Sequence, residues 1–471
     1  MVKQARQKNR LYRLKFSVYF LYALMFGTFS VVYDGVAATP SCCADAHTAN
    51  FISVADIHFD PFYTCDSRAK ACPLINKLQM APAEQWSTIL NAYDTRSPRY
   101  LEDTNAVLFK STLKQFKKTA AEQHPQFVLV LGDFLSHDYK KNYQLYSGDH
   151  SIAGTQRFID KTLQFIAAQL AIAFSTIDIY MVVGNNDGYG EHYTSQAIFY
   201  KNVAPIWSTL IRDKYNRGSM QKEFAQAGYY AVDIQKGLRL IVLNTAYFSS
   251  RGTGMDREAQ NELNWLRKQL ELLNTTQRKA LIALHIPSIP QISISQNIPV
   301  AALGLWQPRY IEQFLLLLKG SAAHIMAVLP AHLHVDWAQR LQFKDVANPI
   351  LLSATPSISP VVGNNPGYKV YSYDPEDLVI TNYLTYFYPL DKRKWKLEYD
   401  FMQTYQPNCP VGTVVQSLKQ LTKNLFYLQQ YKQFFPVSRV APIFSDLTYP
   451  AIVCDLKAAN YSEYQRCAEK Y

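Results

Sequence analysis

Glycine is scarce in this chain of 471 residues, and its 18 glycines and 23 prolines are too few for a collagen or a linker-dominated protein. Charged residues make up only 18% and hydrophobic residues 48%, and this composition excludes a mainly disordered chain. After residue 32, no apolar run is long enough to span a bilayer. The sequence therefore predicts a globular protein of two to four domains, or one large α/β domain with an appendage.

Cysteine is absent between Cys72 and Cys409, and no two cysteines have the C-x-x-C spacing of a zinc ribbon or thioredoxin motif. The seven cysteines lie towards the two ends of the chain, at Cys42, Cys43, Cys65, Cys72, Cys409, Cys454 and Cys467. The short intervals Cys65–Cys72 and Cys454–Cys467 can close as disulfides, and the odd count leaves at least one thiol free or intermolecular. This usage indicates an oxidising compartment, with reduced core cysteines as the alternative.

The first 38 residues have the pattern of an export signal. Six basic side chains and one acidic side chain there account for +5 of the net charge of +11. An apolar run from Phe16 to Val32 follows, and then small residues at Val36-Ala37-Ala38, where a signal peptidase cleaves. An uncleaved anchor is the alternative, because the run is close to bilayer length. We predict a secreted or periplasmic protein without stable membrane insertion, and the modest remaining charge predicts no nucleic-acid partner.

Five short apolar segments each end in polar residues that can bind metals. They are Asn50–Ala55, Phe127–Leu131, Ile179–Val183, Ala280–Leu284 and Ile325–Leu329. Runs of this length are typical of strands buried on both faces, and helical patterns at Glu102–Gln123 and Arg257–Leu273 lie between them. This alternation predicts an α/β sandwich. Ligands bind beyond the carboxyl ends of such strands, so the five polar clusters are expected to converge.

Later segments predict further strands and a helical end. Tyr229–Asp233 and Leu238–Asn244 flank a hairpin turn, and Lys369–Tyr373 and Val379–Phe387 also read as strands. Val411–Tyr431 has the pattern of one amphipathic helical stretch. We therefore predict a main domain at 39–406 and a small helical, cysteine-containing subdomain at 407–471.

The residues that follow the five strands suit a pair of divalent cations. They are Asp56, His58, Asp133, Asn185, His285, His332 and His334. Two neighbouring ions need about seven or eight oxygen and nitrogen ligands, and a carboxylate can bridge them because it has two oxygens. A single buried histidine is more often an ordinary core residue. What indicates a metal site is the order of all five fragments, each at the end of a predicted strand.

The order DIH, GDFLSHD, GNND, LHIP and AHLH resembles the calcineurin-like metallophosphoesterases. The segments ADIHFDPFY (55–63) and PSISPVVGNNPGYKVYSYD (356–374) narrow the resemblance to the acid sphingomyelinase-like phosphodiesterases, and CDLKAANYSEYQRC (454–467) looks like the closing disulfide of that family. The resemblance extends from about residue 50 to the end. It implies a four-layer-type α/β fold, in which a β-sandwich is flanked by helices, and it makes 39–406 the catalytic domain.

The resemblance also implies a ligand set for each of two metal ions, which in this family are usually zinc, although histidine and aspartate ligands also suit iron or manganese. One ion would be held by Asp56, His58, Asp133 and His334. The other would be held by Asp133, Asn185, His285 and His332. A hydroxide between the ions would then attack phosphorus.

Other roles follow from the same resemblance. His137 would protonate the leaving oxygen, and Asp138 would orient His137 or cap a helix. Tyr368, in a loop that the family places near the active-site mouth, is expected to contact the substrate. The nearby His192 is also expected to contact it, and His192 is the alternative to His137 alone as replacement for the histidine missing at Asn186. Asn186 stands where the family motif has a catalytic histidine, and it can donate a hydrogen bond but cannot deliver a proton.

A second departure from the family motif is Ala331, which replaces a glycine and could shift the backbone near His332. Only Thr39–Thr48 separates the predicted cleavage site from the first strand region, so the saposin-like domain of lysosomal sphingomyelinases is not expected. We therefore predict an exported binuclear-metal phosphodiesterase acting on small phosphodiesters or nucleotide phosphoanhydrides. The alternatives are an endopolyphosphatase (a similar family that also carries GNND), a sphingomyelin phosphodiesterase, and a catalytically silent metal-binding protein.

Overall fold

The structure is a computed structural model that describes residues 48–470 except 67, 69–70, 191, 253, 289–304, 407–411, 440–447 and 459–460. The predicted signal lies outside the described residues, and so do Cys42, Cys43 and Cys409. Within the described ranges, no helix has the length and apolar character needed to cross a membrane.

The β-structure is built from strands that match the apolar runs of the sequence. They are β1 (Ala49–Val54), β2 (Phe127–Val130), β3 (Asp178–Met181), β4 (Tyr230–Gln235), β5 (Leu238–Val242), β6 (Lys279–Ala283), β7 (Ile325–Leu329), β8 (Trp337–Leu341), β9 (Ile350–Ala354), β10 (Gly367–Asp374), β11 (Val379–Phe387) and β12 (Lys396–Asp400). One six-stranded sheet has the order β12-β11-β10-β1-β2-β3, and the other has the order β4-β5-β6-β7-β9-β8. The predicted hairpin is confirmed as the antiparallel pair β4–β5.

Helices separate the strands along the chain. They are α1 (Pro73–Met80), α2 (Trp86–Tyr93), α3 (Ala106–Gln123), α4 (Tyr139–Ser147), α5 (Ile152–Ala173), α6 (Ala197–Ser208), α7 (Lys214–Ala227), α8 (Asp256–Thr276), α9 (Pro308–Gly320), α10 (Phe401–Tyr405), α11 (Val414–Leu421), α12 (Leu425–Phe434), α13 (Tyr449–Lys457) and α14 (Tyr461–Ala468). The helical pattern predicted at Arg257–Leu273 corresponds to α8, in which Leu263, Leu266, Leu270 and Leu273 are buried. The α/β fold with two mixed sheets flanked by helices is confirmed.

Parallel pairing sets where the site forms. In the first sheet β1 pairs in parallel with β2, and β2 with β3, while β5, β6 and β7 are parallel in the second sheet. The carboxyl ends of neighbouring parallel strands lie at the same edge, so the loops after β1, β2 and β3 meet there. The two sheets also contact each other directly, because the Ser53 hydroxyl of β1 lies 2.6 Å from the Thr355 hydroxyl that follows β9.

The helical segment near the C-terminus differs from its prediction. Instead of one stretch over 411–431, the described residues form two helices, α11 and α12, separated at 422–424. The break has a local cause, because the Asn424 side chain accepts hydrogen bonds from the backbone N–H groups of Phe426 and Tyr427 and so begins a new helix. The subdomain boundary at 407 stays a prediction.

Among the described residues, two disulfides are present, and both close the short intervals seen in the sequence: Cys65–Cys72 and Cys454–Cys467. The second begins in α13, which packs on β8. There the Trp337 indole and the Gln339 amide both donate hydrogen bonds to Asp455. The C-terminal helices are therefore attached to the strand that follows the His332–His334 loop.

A buried ion pair joins the two sheets behind that loop. Lys369 Nζ on β10 lies 2.7 Å from Asp336 Oδ1, and both side chains are buried. Lys369 also donates to the Ala354 carbonyl at the end of β9, while Asp336 Oδ2 accepts from the hydroxyls of Thr385 on β11 and Tyr399 on β12. Since Asp336 comes two residues after His334, the pair holds the end of the loop against both sheets.

Removing one partner of this ion pair should destabilise the protein strongly. We expect Lys369→Met to lower the free energy of unfolding in urea by about 3–5 kcal/mol, because it leaves a buried carboxylate without its counter-charge. The double variant Asp336→Leu/Lys369→Met should lose less than the single variant. The exposed Lys394→Met serves as the matched control. A Lys369→Met protein as stable as this control would contradict the assignment.

Candidate metal centre

The seven residues predicted as metal ligands come together at the carboxyl ends of the strands. Asp56 and His58 follow β1, Asp133 follows β2, Asn185 follows β3, His285 follows β6, and His332 and His334 follow β7. The loops are joined through their backbones: the N–H of Asp56 donates to the Gly132 carbonyl at 3.0 Å and that of His58 to the Asp133 carbonyl at 2.8 Å. The convergence expected from strand-end spacing is what the structure shows.

The ligating atoms fall into two groups, in each of which they lie within 4.8 Å of one another: Asp56, His58 and His334, and Asp133, His285 and His332. Asp133 also lies between the groups. Its Oδ2 is 3.4 Å from His58 Nε2 and 3.2 Å from His285 Nε2. Asn185 Oδ1 joins the second group at 3.0 Å from His285 Nε2. The arrangement has room for two cations that share the Asp133 carboxylate.

Backbone carbonyls fix the orientation of two of the histidines. His58 Nδ1 lies 3.0 Å from the Leu135 carbonyl oxygen, and His285 Nδ1 lies 2.7 Å from the Leu131 carbonyl oxygen. A carbonyl oxygen can only accept, so each Nδ1 carries a proton and each Nε2 faces the cluster. This is the outer-shell pattern of metal-bound histidines.

The backbone at the site is strained. Positive φ angles occur at five of the seven residues: Asp56, His58, Asp133, His332 and His334. Non-glycine residues rarely adopt this left-handed region, and such strain persists where function requires it. Glycine is needed beside them, since a Cβ at Gly184 would lie 2.2 Å from Asp133 Oδ1. Ala331 has no positive φ and its N–H bonds the His285 carbonyl, so the methyl group fits there.

Asp187 ties two of these strained loops together. Its buried carboxylate accepts from the backbone N–H groups of Asp133, Phe134 and Gly184, each at 2.8 Å. The loop after β2 is therefore held against the loop after β3. Sequence reasoning saw Asp187 only as the last letter of GNND and gave it no role.

Buried polar atoms without partners show that the cluster fits cations. Among the described residues, no hydrogen-bond partner exists for Asp56 Oδ1, His58 Nε2 or His334 Nδ1, although all three atoms are buried. Leaving such atoms unpaired is costly, and cations would satisfy them. This donor set of carboxylate oxygens and imidazole nitrogens suits zinc, iron or manganese.

The pKa values favour neutral, ligand-competent imidazoles at three of the four histidines, whereas at His285 burial lowers the pKa but Asp133 outweighs it and raises the pKa to about 9. Burial lowers the pKa of His58 to about 4 and that of His332 to about 3, and it also holds the pKa of His334 well below the usual range. These imidazoles are neutral at pH 7, as metal ligation requires. Burial opposes ionisation of Asp133, but His285 and His58 outweigh it and hold the pKa of this carboxyl well below its usual value.

His137 lies at the open side of the cluster. Its ring stacks on that of His58 with 4.4 Å between centroids, and its side chain is 45% exposed. Both carboxylate oxygens of Asp103 lie 3.1 Å from His137 Nδ1, and Asp103 also accepts from the His137 backbone N–H. Burial lowers the pKa of His137, but Asp103 outweighs it, so the pKa is raised.

The expected role of Asp138 is corrected by these contacts. Asp138 is exposed at the N-terminus of α4 and its side chain makes no capping hydrogen bond, whereas Asp103 holds His137. Sequence adjacency suggested Asp138. The backbone at Asp138 is left-handed, and its side chain is exposed. Asp103 lies 34 positions from His137 in the sequence and in no recognised motif, so no sequence signal pointed to it.

The remaining predicted residues divide into two that reach the site and one that does not. Asn186 donates to Asp133 through both its backbone N–H and its Nδ2, and the exposed His192 ring lies 6.1 Å from the His137 ring. Tyr368 is fully buried, stacked on Tyr386, with its hydroxyl 2.6 Å from that of Thr119. The prediction that Tyr368 contacts substrate is therefore wrong.

Comparisons with known proteins agree with this geometry. The family model for calcineurin-like phosphoesterase matches residues 49–335. Acid sphingomyelinase-like phosphodiesterase 3b of Mus musculus is 22% identical over 449 residues, covering 90% of this chain and 91% of that protein. Cyclic GMP-AMP phosphodiesterase SMPDL3A of Homo sapiens is 24% identical over 377 residues, covering 73% and 80%.

Among solved structures, that of PhoD has a TM-score of 0.40 and 11% identity, and the match covers 75% of this chain and 72% of PhoD. The family match spans more than half of the chain and contains all seven clustered residues. The chain therefore belongs to the calcineurin-like phosphoesterases, as a metal-dependent phosphoesterase with distant, full-length homology to the acid sphingomyelinase-like phosphodiesterases.

Proposed function

We propose that this protein is an exported phosphodiesterase that uses two divalent cations, zinc in the first instance, to hydrolyse small phosphodiesters or nucleotide phosphoanhydrides. The observation that carries the proposal is the Asp133 carboxylate, which lies between two groups of buried histidines and an aspartate. Disulfides at Cys65–Cys72 and Cys454–Cys467 support export, because such bonds persist in oxidising compartments.

The chain places a proton donor beside the cation ligands, because the His137 ring stacks on that of His58. Divalent cations at such a centre polarise phosphoryl oxygens and lower the pKa of a water molecule that acts as nucleophile. His137, with its Nδ1 held by Asp103, presents Nε2 to the leaving oxygen and delivers a proton there. Asn186 keeps the Asp133 carboxylate in place through its two hydrogen bonds.

The nature of the substrate is supported by the relatives and by one residue. The relative named cyclic GMP-AMP phosphodiesterase supports a nucleotide substrate with phosphodiester bonds. Asn186, in the GNND sequence that endopolyphosphatases share, favours long polyphosphate as the second candidate. Because one relative is named acid sphingomyelinase-like phosphodiesterase, sphingomyelin is the third candidate substrate.

The purified protein should hydrolyse bis-p-nitrophenyl phosphate in a reaction that a chelator abolishes and added metal restores. Release of p-nitrophenolate measures the rate, and a panel of ATP, cyclic GMP-AMP, long polyphosphate and sphingomyelin ranks the substrates. If the protein shortens polyphosphate but does not hydrolyse the diesters, the endopolyphosphatase alternative is favoured. If the protein binds metal but hydrolyses no compound of the panel, the phosphodiesterase proposal is wrong and the silent metal-binding alternative takes its place.

Asp133→Asn should weaken metal binding more than it weakens folding. The amide keeps the shape of the side chain but removes the charge that two cations would share, so we expect at least a 10–100-fold loss of affinity for the more weakly held ion. Elemental analysis after dialysis against buffered metal measures the loss. Asp391→Asn, at an exposed ion pair with Lys392, is the matched control. Equal metal content in both variants would remove Asp133 from the centre.

His137→Ala should slow hydrolysis by roughly 10²–10⁴ for an alkyl leaving group, which needs a proton, and much less for p-nitrophenolate, which does not. Asp103→Asn should reproduce this dependence on the leaving group in weaker form, because it loosens His137 without removing it. Glu102→Gln, which alters the neighbouring carboxylate paired with Arg99, is the control. A loss that is equal for both leaving groups would show that His137 is not the proton donor.

A further inference from the structure

An arginine and a tyrosine lie together on the His332 side of the centre, where the sequence gave no motif. Arg251 Nη1 donates to the Tyr193 hydroxyl at 3.1 Å, and the guanidinium carbon is 5.5 Å from the centroid of the Tyr193 ring. That ring in turn stands edge-on to the His332 imidazole, with 6.3 Å between centroids. The guanidinium is thus two side chains away from the ligand cluster.

The backbone of this pair is attached to the loops that carry the ligands. The Tyr193 N–H donates to the Asn185 carbonyl at 2.9 Å. On the other side, the Arg251 N–H donates to the Ser249 hydroxyl, and Ser249 pairs with Trp306, whose indole N–H donates to the Ile286 carbonyl beside His285. The backbone of Arg251 is therefore linked, through Ser249 and Trp306, to the loop that carries His285.

The two backbones also pack closely against each other. A Cβ at Gly252 would lie 3.2 Å from the Tyr193 carbonyl oxygen and 2.6 Å from the Met255 side chain, so the residue after Arg251 has no room for a side chain without movement. The loop that carries Arg251 therefore packs tightly against the backbone of Tyr193.

The arginines of this chain differ in whether a carboxylate lies nearby, and Arg251 is one of those without such a partner among the described residues. Arg99, Arg257 and Arg309 each form an ion pair with a nearby carboxylate. For Arg251, the described part of the chain offers no carboxylate within ion-pair distance, and the side chain is exposed. Its charge nevertheless reaches the centre: burial and His285 lower the pKa of His332 most, and Arg251 contributes to the same lowering.

An unpaired guanidinium at this place suits one kind of substrate group. Its planar fork matches the oxygens of a phosphate, and such charge-assisted bonds are stronger than neutral ones. His137 stacks on His58 of the first ligand group, whereas Tyr193 stands against His332 of the second group, so Arg251 lies nearest to a different ligand group from the one that the proton donor contacts. A choline group, which is cationic, would be repelled there.

We propose that Arg251, positioned by Tyr193, binds a second, non-reacting phosphate and so selects phosphoanhydrides over diesters whose arms are neutral or cationic. This inference rests on the proposed function and assigns its substrate preference to one residue. Nucleoside triphosphates and inorganic polyphosphate share the anhydride-linked phosphate that Arg251 would contact.

The test compares substrates within one variant. For Arg251→Gln, kcat/KM for ATP and for tripolyphosphate should fall about 10–100-fold further than kcat/KM for bis-p-nitrophenyl phosphate, because a hydrogen bond between charged groups is lost only with the anhydrides. Arg251→Lys, which keeps the charge but not the fork, should fall between Gln and the unmodified protein. Tyr193→Phe should raise KM for the anhydrides more than it lowers kcat.

Arg267→Gln, at an exposed arginine on α8 that contacts Asn264, is the matched control. Losses that are equal for all three substrates would show a purely structural role and overturn the proposal, as would an unaltered kcat/KM for both anhydrides. A loss with ATP but not with tripolyphosphate would identify the nucleotide as the source of the phosphate, and the opposite result would identify polyphosphate.

A binding measurement separates this inference from the proposed function. Calorimetric titration of the metal-loaded protein with inorganic pyrophosphate needs no turnover, and Arg251→Gln should raise Kd about tenfold or more relative to Arg267→Gln. If the protein is inactive on every substrate but this difference is present, the proposed function fails and the phosphate site stands. If the protein hydrolyses diesters and the two variants bind pyrophosphate equally, the phosphate site fails and the function stands.

Discussion

The structure depends on the sharing of one carboxylate between two groups of buried ligands. Asp133 lies within 3.4 Å of a histidine from each group, and burial leaves Asp56 Oδ1 and His58 Nε2 without a hydrogen-bond partner among the described residues. Leaving such atoms unpaired is costly, and cations would complete their coordination. The rest of the site follows from this requirement, because imidazole nitrogens and carboxylate oxygens from both sheets must reach one small volume.

The fold meets this requirement through strand ends and close backbone packing. Parallel strands deliver the loops to common edges, Asp187 joins the loops after β2 and β3, and Gly184 leaves the space that Asp133 occupies. Left-handed backbone at the ligands points their side chains inward at an energetic cost. The buried pair Lys369–Asp336 anchors the two sheets directly behind His334. Stability and function are thus coupled in the same loops.

Much of this could be predicted from the sequence, because strands buried on both faces are continuous apolar runs and their carboxyl ends are marked by abrupt polar residues. Contacts between distant segments could not be predicted: Asp103 reaches His137, and Arg251 reaches Tyr193, without any shared motif. The prediction for Tyr368 fails because a position near a loop does not determine the direction of the side chain. In the structure this side chain packs in the core. What the sequence does not predict are the residues that contact the catalytic side chains from distant segments. The ligand cluster itself follows from the local pattern at the strand ends.

His137, Asp103 and Arg251 all act on a substrate that a pair of cations would hold, so the cations are the point to test. The most direct measurement is anomalous X-ray diffraction from crystals of the metal-loaded protein, recorded on both sides of the metal absorption edge. We expect two anomalous peaks about 3.5–4 Å apart, one on each side of the Asp133 carboxylate. A single peak bound by one group alone, or peaks away from Asp133, would contradict it.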